Sequence, residues 1–177
     1  MANIMLTKDQ WDALQRHLLP NPFKVEEAAF LFVKVTESGD FECVDSWCMQ
    51  PHDFDYQSAF HISLRDETKA AVIKRAHDTG TALVEAHSHL GKWPAEFSRS
   101  DLCGFDSFVP HVRWRLKGKP YAAIVLTTAD YDGFAWIGDA TDPVRIDGLV
   151  IGDVDRLGPT GLTPLTWGPW EDFDGHI

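Results

Sequence analysis

The sequence predicts an α+β fold, an α/β sandwich in which helices flank a mixed central sheet. Apolar, β-rich runs occupy residues 27–36, 81–90 and 121–128, and buried strands have this composition. Segments of helical composition, residues 7–19 and 65–79, alternate with these runs. Because β-rich segments adjoin each predicted helix, we expect one shared sheet with helices packed against it.

The first helix is predicted over residues 7–19. Thr7 is a favourable N-cap residue, and Gln10 follows it by three positions, as in a capping box. Pro20 ends the helix because proline has no amide hydrogen and cannot continue the helical hydrogen bonding.

A β-hairpin is predicted next, from residues 27–36 and 41–49. The turn Ser38-Gly39-Asp40 lies between these two β-rich runs, and its residue types favour a tight turn. Residues 51–58 are polar and predict a loop, and residues 60–64 predict a short strand.

The second half of the chain begins with a helix over residues 65–79, which Gly80 ends. The remaining predicted segments are a strand over 81–90, a loop over 91–100, a short helix from Ser98 towards Phe108 that Pro110 interrupts, strands over 121–128 and 134–139, and an irregular tail over 153–177.

Composition indicates a single domain over residues 1–177, long enough to bury a core without disulfides. The chain has only three cysteines and no CxxC pair, which favours a reducing compartment. Its N-terminus lacks the pattern of a signal peptide, and its apolar runs are too short to cross a bilayer. We therefore expect a cytoplasmic protein with no membrane partner.

Charge argues against a nucleic-acid partner. The formal net charge is −11, and the densest basic stretch is the short segment 113–119. Proteins that bind phosphate backbones usually carry a larger basic patch. An acidic surface favours a basic protein partner instead.

A pair of histidines, His87 and His89, lies at the end of the strand predicted over 81–90. Side chains alternate along a strand, so both imidazoles point to the same face. Catalytic zinc sites commonly have three protein ligands and a position for water. Asp101 is the predicted third ligand because Ser98, as an N-cap, places it in the first turn of a helix. Each half of this pattern also has an ordinary structural interpretation, as residues lining a sheet or as a capping box.

Taken together, these residues resemble the JAMM motif of JAB/MPN zinc metalloproteases. The motif consists of a glutamate, a His-x-His pair, a loop of about seven residues and Ser-x-x-Asp; here it reads Glu27, His87-Ser88-His89 and Ser98-Arg99-Ser100-Asp101. The similar order of elements covers residues 7–137. The sequence departs from the family at Leu90, where proline is usual, and at Phe30, where a small residue usually follows the glutamate by three. Its loop has eight residues rather than seven.

The resemblance implies an MPN/JAB architecture, similar to cytidine deaminases, with one zinc ion per chain and hydrolysis of peptide or isopeptide bonds. The implied zinc ligands are His87, His89 and Asp101. Glu27 would exchange protons with the attacking water and the leaving amine, and Ser98 would hydrogen-bond the oxyanion. Glu26 is the alternative base, because neighbouring strand residues face opposite ways and only one can reach the site.

Three further residues near the motif have open roles. Trp93 and Phe97 lie in the loop between the histidines and Ser98, where they either contact substrate or anchor the loop. Glu85 precedes His87 by two positions and either supports that histidine from behind or takes no part in the site.

The resemblance is strongest to small bacterial stand-alone JAB proteins that accompany ubiquitin-like, E1-like and E2-like proteins, some of them in antiphage defence. It implies cleavage after the C-terminus of a ubiquitin-like modifier, in conjugates or precursors, with E1-like and E2-like proteins as possible partners. One alternative is a metabolic peptidase that trims a sulfur-carrier protein or a small peptide conjugate. Another is a non-catalytic MPN scaffold, although such domains usually lack the metal ligands that this sequence retains.

Overall fold

Strands and helices alternate along the chain in the computed structural model, which describes residues 2–153 and 155–168. The strands are β1 (Asn3–Leu6), β2 (Ala28–Val35), β3 (Phe41–Cys48), β4 (Phe54–Gln57), β5 (Ile62–Leu64), β6 (Ala82–Ser88), β7 (Tyr121–Leu126), β8 (Tyr131–Trp136), β9 (Val144–Arg145), β10 (Gly148–Ile151) and β11 (Asp155–Leu157). The helices are α1 (Lys8–Leu18), α2 (Asp66–Thr79) and α3 (Arg99–Arg115), and a short 3-10 turn spans Pro51–Asp53.

Nine strands form one sheet in the order β11-β10-β1-β3-β2-β6-β7-β8-β9. Strand β1 is parallel to both β10 and β3, and β6 is parallel to β7. The other neighbours in the sheet are antiparallel. Strands β4 and β5 form a separate antiparallel hairpin. The predicted α+β class with a mixed central sheet flanked by helices is therefore confirmed.

The two faces of the sheet bury separate apolar clusters. Helix α1 covers one face through Trp11, Leu14 and Leu18, and its predicted capping box between Thr7 and Gln10 is present. Helices α2 and α3 cover the other face, which is rich in aromatic side chains. Because β6 lies in the middle of the sheet, its side chains are enclosed by helices on both sides.

Helix α3 is longer than predicted, and the expectation that Pro110 interrupts it is wrong. The helix continues through Pro110 to Arg115. Proline removes one backbone hydrogen bond, but Val109 and Val112 are buried against the sheet on either side of it. Tertiary packing of this apolar face keeps the helix intact despite that loss.

Strand β8 begins earlier and ends earlier than the predicted strand over 134–139. The turn lies at Thr127–Asp130, where the Thr127 hydroxyl donates to the Asp130 carboxylate at 2.9 Å. Gly133, which suggests a turn in the sequence, pairs with Ile124 inside the sheet. Its lack of a side chain is required by packing, because an added Cβ would lie 2.9 Å from both Ile124 and Ile146 side-chain carbons.

Several short strands are absent from the sequence-based prediction. Residues 51–58, expected to be a loop, contain β4, and the tail over 153–177 contains β11. Strands β1, β9 and β10 also had no predicted counterpart. In the tail, Val154 and residues 169–177 lie outside the described residues. None of the helices in the described part of the chain is both long and apolar enough to span a bilayer.

Candidate metal centre

The three predicted ligands converge at the end of β6. His87 is the penultimate residue of that strand and is only 2% exposed, and His89 lies just beyond it. Asp101 reaches them from the first turn of α3. The Nε2 atoms of His87 and His89 are 3.3 Å apart, and the Asp101 Oδ2 atom lies 3.5 Å from the first and 3.2 Å from the second.

These distances fit a small tetrahedral metal ion. Ligands that lie about 2.0–2.1 Å from a tetrahedral zinc are about 3.3–3.4 Å from one another. The three atoms here are separated by 3.2–3.5 Å, so one ion at their centre would contact all of them. The donor set of two imidazoles and one carboxylate is also one that catalytic metal sites use. The group can therefore hold a metal ion.

Local hydrogen bonds hold Asp101 in this position. Ser98 is the N-cap of α3, and its hydroxyl accepts from the Asp101 amide at 3.2 Å. The Asp101 Oδ2 atom in turn accepts from both the Ser98 amide and the Ser98 hydroxyl, each at 2.7 Å. The capping box that the sequence suggests is thus present, and it directs the carboxylate at the two histidines.

The glutamate beside the metal group is Glu26. Ala28 is paired with His87 across β2 and β6, and directly opposed residues share a face of the sheet. Glu26, two residues before Ala28, therefore lies on the same face. Its Oε1 atom is 3.9 Å from the Nε2 atom of His89, and the residue is 5% exposed.

The expectation that Glu27 faces the metal group is therefore wrong. The Glu27 amide donates to the Ser88 hydroxyl at 3.0 Å, and its carboxylate accepts from the Gln57 side chain at 3.0 Å. The sequence contains a signal that favours Glu26. Counting from Glu26, the position three residues later is the small Ala29 rather than Phe30, which agrees better with the motif that the sequence resembles.

The electrostatics of the site favour a cation. Burial raises the pKa of Asp101, but the His87 imidazole opposes this and holds the pKa of that carboxyl far below its usual range. Burial lowers the pKa of His87, yet the Asp101 carboxylate outweighs this and raises it to about 9. Burial raises the pKa of Glu26 above its ordinary value, and His89 only partly offsets that effect.

Glu85 lies behind His87 on the same strand. Its Oε1 atom is 3.9 Å from the Nδ1 atom of His87, which is too long for a hydrogen bond. The Oε2 atom accepts from the Tyr121 hydroxyl at 2.5 Å. The buried Nδ1 atom of His87 has no hydrogen-bond partner among the described residues.

The two aromatic residues in the loop after His89 lie in different environments. Phe97 is 4% exposed and packs with its ring centroid 5.0 Å from that of Phe134 and 5.7 Å from that of His87. Phe97 therefore anchors the loop against the metal group, the second of its two predicted roles. Trp93 is 81% exposed at the tip of the loop, where it is free to contact another molecule.

Residues from the tail hold this loop in place. The Thr163 hydroxyl accepts from the Phe97 amide at 2.9 Å, and the Thr160 hydroxyl donates to the Ala95 carbonyl at 2.6 Å. The Ala95 amide donates to the Asp130 carboxylate at 2.8 Å. The segment expected to be an irregular tail thus supports the loop that carries Phe97.

A cavity of about 480 Å³ opens beside the metal group. His87 and Asp101 form one end of it, and it extends between α2 and α3 on the aromatic face of the sheet. The hairpin of β4 and β5 forms a further wall through Ile62 and Leu64. A molecule bound in this cavity would lie directly against two of the three potential ligands.

Sequence comparisons with known proteins find no match, whereas 71 chains among solved structures are similar to this one. No family model matches the sequence, and no curated protein matches it significantly. Among solved structures, the chain is similar to the solution structure of a protein from Salinibacter ruber, with 20% sequence identity and a TM-score of 0.47. That match covers 88% of this chain and 94% of the other.

Proposed function

We propose that this protein is a zinc-dependent peptidase of the JAB/MPN type, acting as an isopeptidase. The observation that carries the proposal is the triangle of His87, His89 and Asp101 ligand atoms, with the Glu26 carboxylate 3.9 Å from one of them. A metal ligand set combined with a nearby carboxylate base is the arrangement that metal-assisted hydrolysis requires.

Zinc is the proposed metal because it accepts mixed imidazole and carboxylate ligands in a tetrahedral site. When bound, it supplies a Lewis acid that polarises a carbonyl and lowers the pKa of a coordinated water to about 7. His87, His89 and Asp101 would hold the ion and would leave room beside it for solvent or substrate. His87 and Asp101 line the adjacent cavity, so substrate can reach that side of the centre.

Glu26 is the proposed general base and acid, in place of Glu27. Its carboxylate lies on the metal-facing side of the sheet and is buried, so it can take a proton from the attacking water. The same group can then deliver the proton to the leaving amine. The raised pKa of Glu26 suits this exchange, because a base and acid works best when its pKa lies close to the working pH.

We propose a different role for Ser98 from the one that the resemblance implies. A serine hydroxyl has one proton, and here it is donated to Asp101 at 2.7 Å. Stabilising an oxyanion would require that bond to break. We therefore assign Ser98 to positioning Asp101.

The proposed substrate is a ubiquitin-like modifier or its conjugates, cut after the C-terminal tail of the modifier. Its support is the family resemblance together with the hairpin beside the cavity. Strand β5 pairs with β4 along one edge, and its other edge has no strand partner in the described chain. Ile62 and Leu64 of β5 also line the cavity, so an extended tail could add to this edge next to the metal group.

The test begins with purified protein loaded with zinc. We expect about one zinc ion per chain, and cleavage of a fusion between a ubiquitin-like protein and a target that a chelator stops and added zinc restores. A metal-free preparation that never takes up zinc would overturn the proposal, and so would a zinc-loaded protein that cleaves no such fusion.

The paired variants Glu26→Gln and Glu27→Gln test the choice of base. Gln preserves size and removes the proton-accepting carboxylate. We expect Glu26→Gln to lower kcat by about 10² to 10⁴ while zinc content stays the same, in line with the contribution of general acid–base catalysis. Glu27→Gln is the matched control and should stay within about threefold of wild type. The reverse result would restore Glu27 as the base.

A further inference from the structure

We propose that Glu85 is a positioning residue for the metal ligand His87. When the Nε2 atom of His87 binds a metal ion, its Nδ1–H group would donate a hydrogen bond to the Oε1 atom of Glu85. The inference rests on the proposed function only for the bound zinc ion, and it does not depend on which bond the protein hydrolyses.

The Nδ1 atom of His87 is the observation that calls for such a partner. The Nε2 atom, on one edge of the ring, lies 3.5 Å from the Asp101 carboxylate and 3.3 Å from the Nε2 atom of His89. The Nδ1 atom is buried from solvent and has no hydrogen-bond partner within the described residues. A neutral imidazole that binds a metal through Nε2 carries its proton on Nδ1. A buried donor without an acceptor is unfavourable, so a metal-bound His87 requires an acceptor here.

The Glu85 carboxyl group lies beside this nitrogen. Glu85 precedes His87 by two positions in β6, and side chains two residues apart share one face of a strand. The Oε1 atom is 3.9 Å from the Nδ1 atom of His87, about 0.7 Å beyond the usual range of an N–H···O bond. The terminal torsion of a glutamate side chain is broad, so a small rotation of the carboxyl group closes this gap.

Tyr121 anchors the other oxygen of Glu85. Its hydroxyl donates to the Oε2 atom at 2.5 Å. The tyrosine is 0% exposed, and its ring packs with centroid distances of 6.1 Å to Phe108 and 5.9 Å to Trp136. A rotation about this fixed bond turns Oε1 towards His87. Tyr121 and Glu85 therefore form a chain of contacts that ends at the back of the metal ligand.

The proposed bond is compatible with either protonation state of Glu85. An ionised carboxylate accepts at both oxygens, and a protonated carboxyl group can carry its proton on Oε2, towards the tyrosine oxygen, and still accept at Oε1. The Lys69 ammonium attracts Glu85 but donates its hydrogen bond to Asp66, at 3.2 Å. Within the described part of the chain, Oε1 accepts no other hydrogen bond. The acceptor that His87 needs is therefore available.

Three variants measure the effect on metal affinity. Glu85→Met keeps the length of the side chain and removes both oxygens, and we expect it to weaken zinc binding about 10- to 100-fold in competition with a chelator. Glu85→Gln keeps an oxygen that can accept from Nδ1, so it should stay within about fivefold of wild type. Glu67→Met, at an exposed glutamate of α2, is the matched control and should leave the affinity unchanged.

A spectroscopic signature separates positioning from a general structural role. In zinc-loaded protein with labelled histidine, NMR should show His87 with its proton on Nδ1, shifted downfield and slow to exchange with solvent. Glu85→Gln should keep this signal, whereas Glu85→Met should shift it upfield. A zinc-loaded wild-type protein in which His87 lacks a hydrogen-bonded Nδ1 proton would overturn the inference. This measurement also decides the question if Glu85→Met protein does not fold.

The outcomes distinguish this inference from the proposed hydrolysis. Equal zinc affinities of wild type and folded Glu85→Met protein would overturn the positioning role and leave the proposed function standing. Weaker zinc binding in Glu85→Met, together with a wild-type protein that cleaves no fusion, would support the positioning role and overturn the proposed function. A wild-type protein that takes up no zinc would overturn both.

Discussion

Two buried polar centres lie on neighbouring parts of the sheet and differ in how far their groups are satisfied. Asp132 in β8 is 0% exposed, and its two oxygens accept from Arg145 and from the amides of Gly133, Gly161 and Thr163 at 2.9–3.2 Å. At the end of β6, by contrast, three ligand atoms face one another at 3.2–3.5 Å.

The difference separates a centre that is complete within the chain from one that could hold a metal ion. Buried polar groups in folded proteins are nearly always paired, so an arrangement that is already saturated contributes mainly to holding the fold together. An arrangement in which the lone pairs of ligand atoms point at one another needs a bound cation to complete it. The two centres are connected, because Thr163 belongs to the first and supports Phe97 beside the second.

Removing the charge of Asp132 should produce the largest change in stability. Asp132→Asn keeps the shape but leaves Arg145 without its carboxylate and turns an amide NH₂ towards backbone donors. Breaking a buried ion pair costs about 3–5 kcal/mol in the free energy of unfolding, which chemical denaturation would measure. Asp101→Asn is the contrasting variant: zinc binding should be lost, with a much smaller loss of stability in the metal-free protein when it is measured above about pH 9, where the attraction between His87 and Asp101 no longer contributes.

Equal losses in the free energy of unfolding for Asp132→Asn and Asp101→Asn would contradict the contrast between the two centres. It would mean that the metal-free site holds the fold together as strongly as the saturated centre does. Zinc content after dialysis should therefore be measured for both variants, and Asp132→Asn protein that remains folded should still bind the metal.

Ser98→Ala should weaken the metal centre without removing a ligand. The substitution deletes the hydroxyl that donates to Asp101 at 2.7 Å and also caps α3. Loss of a group that orients a metal ligand typically lowers metal affinity about 10- to 100-fold, which competition with a chelator would measure. Ser98→Thr keeps a hydroxyl cap and should retain most of the affinity. Unchanged zinc affinity in Ser98→Ala would contradict the positioning role.

The sequence predicts the convergence of His87, His89 and Asp101 well because the signal for it is local. Alternation along one strand puts His87 and His89 on one face, and a capping box puts Asp101 in the first turn of a helix. Neither rule requires knowledge of distant contacts. The long apolar strands and the helix that begins at Thr7 are predicted for the same reason.

The errors arise where distant parts of the chain decide the structure. Whether Glu26 or Glu27 faces the metal group depends on the register of β2 against β6, which pairs Ala28 with His87, and a shift of one residue reverses every face. Strand β1 has four residues and is parallel to β10, at the other end of the chain. No local pattern in so short a segment reveals such a partner.

Zinc binding at His87, His89 and Asp101 should release a proton. Near pH 7 the metal-free His87 is protonated, because Asp101 raises its pKa to about 9 despite burial, and a metal ligand must be deprotonated. Zinc affinity should therefore rise about tenfold per pH unit from below neutrality towards pH 9. Calorimetry in buffers of different ionisation enthalpy would count the released proton.

The stability of the metal-free protein should change with pH in the opposite direction to the zinc affinity. The His87 pKa is higher in the folded chain than its ordinary value of 6.5, so the attraction to Asp101 stabilises the metal-free protein fully below that value. This contribution is lost as the pH rises towards 9. Asp101→Asn protein should lack this loss, and a wild-type protein whose metal-free stability rose over the same range would contradict the assignment.

The smallest expected changes in the free energy of unfolding come from alanine substitutions at two glycines, one beside each centre. Gly104 lies within α3 beside the cavity, where an added Cβ meets no atom within 4 Å, whereas one at Gly133 would meet Ile124 and Ile146 at 2.9 Å. Alanine favours a helix interior over glycine by about 0.5–1 kcal/mol, so Gly104→Ala should raise the free energy of unfolding by that amount. Gly133→Ala should lower it, because a packed core resists an extra methyl group. Stabilisation at both positions, measured by denaturation, would mean that the region around Asp132 is no more tightly packed than the cavity beside the metal group.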